Sequence, residues 1–243
     1  MMSYSADCEH WTEPHVLCAP DAGDDKGTNF YQQSAFIMSG RCLGFANIFD
    51  VTSQMSWLEL VESPDGLAWY RLPGKTPVLK PGDFGTIDGG GIYCGLCEPI
   101  VDGDRTWVYY FAAPHPHDGR VSEKMRGHKQ CAARASFPTN RRVGQQTERE
   151  GYFATVPVAC PGGTLCLNYK CANAVRVELK DPGYGGPIVG FTRDDCVPMS
   201  GDEKNVPIHW KHGRTLDELK GRSVKIRLEG DNMKAYSAAF VRE

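Results

Sequence analysis

Ser63-Pro64-Asp65-Gly66-Leu67-Ala68-Trp69 lies between two apolar runs, Trp57 to Val61 and Tyr70 to Leu72. Pro presets one torsion, Asp bonds its own backbone, and Gly takes the positive φ, so the stretch predicts a hairpin turn. The same Ser-x-Asp-x-x-x-Trp frame occurs 58 residues earlier, at Ser5-Ala6-Asp7-Cys8-Glu9-His10-Trp11. A strand-turn-strand unit recurring at roughly 40–50 residues, or a little more, marks the blade of a β-propeller. Asp7, Asp65, Trp11 and Trp69 are therefore assigned to blade structure.

On that basis Ser34 to Met38, Cys42 to Phe49, Met55 to Val61 and Leu67 to Leu72 are the four antiparallel strands of one blade. Pro77 to Gly91 is a long connection. Its Thr86-Ile87-Asp88-Gly89-Gly90-Gly91 needs backbone freedom or close approach. Glu98 to Val101 opens a second blade, Asp102-Gly103 turns it, Trp107 to Phe111 is its buried strand, and Gln130 to Phe137 resumes as a strand. From about Gly151 the pattern changes to half-buried strands. Leu165, Leu167 and Tyr169 alternate with polar or small residues, and so do Val175, Val177 and Leu179, Val224, Ile226 and Leu228, and Tyr236, Ala238 and Phe240, as in a β-sandwich. One short helix interrupts them, with Thr215 as N-cap, Glu218 as its capping-box partner and Gly221 as the stop. The expected fold is all-β: a partial β-propeller of about two to three blades over residues 1–148, then a jelly-roll-like β-sandwich over residues 149–243, with the boundary near 145–152.

The 27 glycines and 16 prolines suit a chain of many turns. No apolar run approaches the ~18 residues that span a membrane, and no charged-then-apolar leader precedes Tyr4. The sequence thus points to the cytoplasm and away from membranes. Because the first repeat opens so near Met1, the chain reads as the C-terminal piece of something longer, or Met1 as a miscalled start. Residues 1–150 carry a net charge of −5 and residues 151–243 of +2; neither is the footprint of a nucleic-acid binder. The basic excess from Arg120 to Arg149 reads as a solvated face.

The ten cysteines are scattered, and those on strand-like runs (Cys42, Cys166) read as reduced, small apolar residues. Cys94-Gly95-Leu96-Cys97 has the spacing of half a zinc site, with no second Cys-x-x-Cys to complete it. His115, His117 and His128 share one loop but lack a well-placed acid ligand, so a surface loop is expected there rather than a metal. No cofactor is expected. Gly89-Gly90-Gly91 lacks the Lys-Ser/Thr and following helix of a phosphate loop.

The order of these motifs carries a resemblance. A Ser-x-Asp-Gly-x-x-Trp hairpin is followed by Ile87-Asp88-Gly89-Gly90-Gly91-Ile92-Tyr93, then by Glu98-Pro99-Ile100 with Asp102-Gly103 and Trp107-Val108-Tyr109-Tyr110. This resembles the later blades of the five-bladed β-propeller glycoside hydrolases of the arabinanase and fructosidase type. Gly190-Phe191, Asp195-Cys196, His209-Trp210 and Leu216-x-x-Leu219-x-Gly221 resemble the β-sandwich that follows some of them. The resemblance implies acid/base hydrolysis of glycosidic bonds in poly- or oligosaccharides, which needs a carboxylic acid and a carboxylate around the axial cavity. It implies catalytic candidates at Asp88, which matches an Asp of the family's loop, and at Glu98, which begins an innermost strand. Both would support acids supplied elsewhere, because two blades and the edge of a third do not make a five-bladed ring. Tyr31, Gln32, Asp50, Tyr93, His115 and His117 are the candidate substrate contacts; Asp195 and Trp210 read as structural. A non-catalytic carbohydrate-binding module and a structural scaffold are the alternatives. A sugar site on the sandwich would need an exposed aromatic platform. The expected partners are a carbohydrate ligand and, through an open propeller edge, further copies of the chain.

Overall fold

The computed structural model describes residues 1–38, 40–95 and 98–241. It divides into two compact units, Met1–Phe137 and Pro138–Glu243. The chain is all-β; its only helices among the described residues are short 3-10 turns.

In the first unit, β1 (Thr28–Gln33) and β2 (Phe36–Met38) pair in succession with β3 (Arg41–Asp50). Beyond it lies β4 (Met55–Ser63), whose far edge is lined by β5 (Tyr70–Arg71) and β6 (Pro77–Leu79). The result is an antiparallel meander four strands wide, the form of one propeller blade. A second sheet pairs β7 (Gly91–Gly95) and β8 (Ile100–Asp102) with β9 (Arg105–Ala113), and β9 with β10 (Cys131–Pro138). The glycine-rich stretch is thus part loop and part strand, since β7 begins at Gly91.

Strand alternation explains the packing. Phe45 on β3 and Leu58 on β4 face the second sheet, where they meet Ile92, Val108, Tyr110 and Ala112. Ala46 and Ile48 face the other way and pack with Val61 and Trp69. With both faces covered, β3 is apolar almost throughout, and its one buried amide has a task. Asn47 Nδ2 donates to Trp57 O at 3.1 Å and to Ile92 O at 3.0 Å. Ser56 Oγ donates to the same Ile92 carbonyl at 2.7 Å. Two side chains of one sheet thereby hold one carbonyl of the next.

The turn at Ser63 forms as its residues require. Ser63 Oγ accepts from Gly66 N at 2.7 Å, Asp65 Oδ1 accepts from Leu67 N and Ala68 N at 2.8 and 2.9 Å, and Trp69 Nε1 donates to Gly66 O at 3.1 Å. Gly66 has φ 79°, a conformation glycine adopts without steric cost.

The second unit is one seven-stranded antiparallel sheet curled around its own core. Its strands are β11 (Gln145–Gln146), β12 (Glu150–Ala154), β13 (Val158–Ala159), β14 (Thr164–Lys180), β15 (Met199–Pro207), β16 (Ser223–Asp231) and β17 (Lys234–Val241). The alternating runs at 165–169 and 175–179 belong to a single strand. The first half of β14 pairs with β15 and β17, and the second half with β16. Irregularities at Asn168/Tyr169 and between Cys171 and Val175 separate the halves. A bulged strand that passes from one sheet face to the other is how sandwich corners are made. Leu165, Leu167, Tyr169, Val175, Val177 and Leu179 all enter the core. The helix at 215–221 is a 3-10 turn, Leu216–Leu219, with the Thr215/Glu218 capping box in place. Arg141 is anchored in this unit, donating Nε to Asn168 Oδ1 at 2.7 Å.

Cys42, Cys160, Cys166, Cys171 and Cys196 stand free at least partly inside the protein. Of the Cys94–Cys97 pair, Cys97 lies outside the described residues.

Candidate functional site

Strands β1 and β7, each at an end of its sheet's strand order, both break register beside a tyrosine. On β1, Phe30 opposes Ile48 and Gln32 opposes Asn47, so Tyr31 is an extra residue. On β7, Tyr93 opposes Phe111 and Gly95 opposes Tyr110, so a second bulge follows Tyr93 directly. Bulges re-aim side chains and are over-represented next to active sites. Here they serve one cluster. The Tyr31 ring stacks on Phe49 at 4.6 Å and 22°, His117 stands edge-on to Tyr31 at 5.9 Å, and the Tyr31 hydroxyl meets His117 Nε2 at 3.4 Å. His117 also lies 5.2 Å from Phe49. Its own amide donates to Gln54 O at 3.1 Å, which fixes the loop.

Tyr93 reaches Ser56, which stands opposite Phe49 on the paired strands β3 and β4. Burial pushes its phenol up, a hydrogen bond with Ser56 pulls the other way, and the neighbouring Tyr31 phenol adds to the rise. Phe49 is 4% exposed and Tyr31 44%. A buried ring thus carries an exposed one.

The loop before β7 holds the other candidates. Tyr110 OH donates to Asp88 Oδ2 at 2.9 Å, and the one proton of Thr86 Oγ1 is shared between Asp83 O at 2.8 Å and Asp88 Oδ1 at 3.1 Å. Both oxygens of Asp88 have partners. Burial and then this carboxylate push the Tyr110 phenol far up. Gly90 lies so close to the chain at His115 that any Cβ would collide with the His115 carbonyl, and one on Gly89 would collide with the Asp83 carbonyl. That close approach is why the sequence is glycine-rich here.

The remaining candidates lie apart from this cluster or serve turns. His115 is partly buried, and its Nδ1 has no partner. The Asp50 carboxylate accepts from Thr52 N at 3.0 Å and Ser53 N at 2.9 Å, closing the β3–β4 turn. A hydrogen bond from the Ser53 side chain, opposed by burial and joined by those amide donors, lowers its pKa. Gln32 and Glu98 are exposed. Among the described residues no group of three or more His, Cys, Asp or Glu is placed to hold a metal ion, and no helix is long and apolar enough to cross a membrane.

Two features escaped the sequence reading. Phe49 and Ser56 looked like ordinary strand residues; the bulge of β1 makes Phe49 the support of Tyr31 within one sheet, and the neighbouring sheet brings Tyr93 to Ser56. A buried ion network also lies on the opposite face of β4. Arg71 reaches Glu59 Oε2 at 2.7 Å and Asp24 Oδ1 at 2.6 Å, with the three side chains 9%, 4% and 6% exposed. Trp57 Nε1 donates to the other Glu59 oxygen at 3.0 Å. Lys75 adds contacts to Asp24 at 3.1 Å and Asp21 at 2.5 Å. Burial would raise the Asp24 pKa, but hydrogen bonds from Arg71, the Asp21 amide and Lys75 hold it down to about 2. This network ties the loop at 21–24 to the blade.

No known protein family and no curated protein matches the chain. It is distantly similar in structure to several solved proteins. Against the Bombyx mori GH32 beta-fructofuranosidase BmSUC1 the TM-score is 0.35 and the identity 9%, over 99% of this chain and 60% of that one. For the sucrose-6-phosphate hydrolase from Lactobacillus gasseri the values are 0.25 and 10%, over 93% and 70%. For BT0996, solved as an RGII complex, they are 0.37 and 17%, over 50% and 35%. The chain thus spans about a third of BT0996 and three fifths of the fructofuranosidase.

Proposed function

We propose that this chain is a carbohydrate-recognising part of a glycoside-hydrolase-type protein, and that sugar binds at the rim made by Tyr31, Tyr93 and His117. One observation carries the reading: β1 bulges at Tyr31 and leaves its ring 44% exposed, stacked on the buried Phe49 beside His117, while β7 bulges just after Tyr93, whose partner Ser56 stands opposite Phe49. An amphipathic ring of this kind offers an apolar face to the C–H face of a sugar and a hydroxyl to its oxygens. The imidazole of His117 supplies a further donor or acceptor.

Hydrolysis asks for more. It needs one carboxyl group to protonate the leaving oxygen and another to act as base or nucleophile. Asp88 has both oxygens committed to Tyr110 and Thr86, so its part is to position the loop. In the hydrolytic form of the reading, exposed Glu98 supports acids supplied elsewhere; in the binding form the rim retains glycan without turnover. The committed oxygens of Asp88 favour the binding form.

Calorimetry of the whole chain with arabinohexaose and with an inulin hexasaccharide is the test. Binding is expected for at least one, weakened about tenfold in Tyr31→Ala, with no reducing ends released over a long incubation. Reducing ends that disappear in Glu98→Gln would replace the binding form with the hydrolytic one. A folded chain that binds neither sugar, or binds equally well as Tyr31→Ala, would remove the rim from consideration.

A further inference from the structure

The outer face of the second unit carries a separate cleft of about 250 Å³. That is below the roughly 300–1,000 Å³ of pockets for drug-sized ligands and is of a size for one sugar ring. Glu150, Asn173, Arg176, Arg193, Glu229 and Asp231 line it. The register explains why they meet. On β12, β16 and β14, Tyr152 stands opposite Glu229 and Glu229 opposite Arg176, while Glu150 stands opposite Asp231. Directly opposed residues share a sheet face, so Tyr152 belongs to the same face as the cleft.

Tyr152 is 60% exposed. The Arg227 guanidinium lies 4.0 Å from its ring centroid and is itself held at 3.1 Å by Glu229. An exposed aromatic ring fixed by a cation on one face loses little freedom when a ligand meets it.

We infer that this cleft is a second carbohydrate subsite: one ring of a neutral oligosaccharide enters it beside Asn173 and Asp231, and a neighbouring ring lies on Tyr152, which flanks the cleft on the same sheet face. The polar lining selects the class. Arg193 is paired with Glu229 at 2.5 Å, and Arg176 donates to Cys196 O at 3.0 Å. With Arg227, which holds Glu229, three carboxylates face three guanidinium groups, and each of these guanidinium groups already has a partner, so none is left over to hold a uronate carboxylate. Asn173 Nδ2 donates to Asp231 Oδ2 at 2.9 Å, which sets an amide donor and a carboxylate acceptor side by side. A vicinal diol can donate to Asp231 or Glu150 and accept from Asn173 in one pose. The site lies in a different unit from the Tyr31 rim and does not depend on it.

Calorimetry on the whole chain with cellohexaose, xylohexaose and mannohexaose, and with hexagalacturonate as the charged comparison, tests the subsite. At least one neutral hexasaccharide is expected to bind more tightly than hexagalacturonate. Tyr152→Ala should weaken that binding about tenfold, Tyr152→Phe should keep it, and Asn173→Ala should weaken it. The inference is overturned if none of the neutral sugars binds, if hexagalacturonate binds best, or if Tyr152→Ala binds as the parent does. Loss in Tyr31→Ala alone would place the sugar at the rim and likewise overturn it.

Discussion

The two Ser-x-Asp-x-x-x-Trp turns have the same local bonds and different fates. In the first, Ser5 Oγ accepts from Cys8 N at 2.7 Å, Asp7 Oδ1 accepts from Glu9 N and His10 N at 2.9 and 2.8 Å, and Trp11 Nε1 donates to Cys8 O at 3.2 Å. The second matches it bond for bond. In both, the aspartate pKa is lowered chiefly by backbone N–H donors. Yet Trp69 is 7% exposed among Ala46, Ile48 and Val61, whereas Trp11 is 60% exposed. Seven residues suffice to make the turn; what its tryptophan contributes depends on whether a sheet lies beneath it.

The sharpest way to break this comparison is to truncate both tryptophans. Trp69→Ala is expected to cost the first unit roughly 3–5 kcal/mol, the range for emptying a core aromatic site. Trp11→Ala should change stability by no more than about 0.5 kcal/mol. Urea unfolding followed by amide exchange on β4 reads both, and equal costs would mean that Trp11 is covered in solution.

The residue two past each tryptophan extends the contrast. In the second repeat it is Arg71, locked between Glu59 and Asp24; in the first it is Glu13, which is exposed. Asp24→Asn should cost about 3 kcal/mol, because breaking a buried pair strands the remaining charge, while Glu13→Gln should be silent. The same network gives an acid dependence. With its folded pKa held to about 2, below the ~3.9 of an unfolded aspartate, Asp24 contributes its full stability above about pH 4 and loses it as pH falls through about 2. The contribution is about 2 kcal/mol, and an acid titration of Asp24→Asn should lack that component.

The smallest effect concerns the turn itself. Cys8 takes φ 64° where the second repeat has Gly66 at φ 79°. Cys8→Gly should relieve up to about 1 kcal/mol of left-handed strain and Gly66→Ala should add about as much. Thermal melts that showed no gain for Cys8→Gly would mean the first turn is loose in solution.

Much of the fold was legible because its signals are local. The strands at 36–38, 41–50 and 55–63, the capped turn at 215–221 and both Asp turns follow from alternation and turn chemistry. The single strand β14 was less visible, because Asn173-Ala174 between two apolar runs looks like a break, and only pairing with β15, β16 and β17 carries the strand through its bulge. Of the candidate residues, Tyr31 and Tyr93 were chosen for their like places beside strands and His117 as one of the histidines of a loop. Their meeting depends on two register shifts that no residue pattern announces. Tyr152 was passed over because an exposed tyrosine and a buried one look alike in a strand.

The sequence by itself therefore determined the class of structure, the turns and the inward faces of the strands, since each rests on torsions and alternation within a few residues. Only the tertiary structure decided which tryptophan is core, which carboxylates are buried with Arg71, and that Asp88 is tied to Tyr110. Those outcomes rest on burial and charge pairing between residues as much as 58 apart in frame and 47 apart in contact, and the cost of burying a group depends on what the fold places beside it.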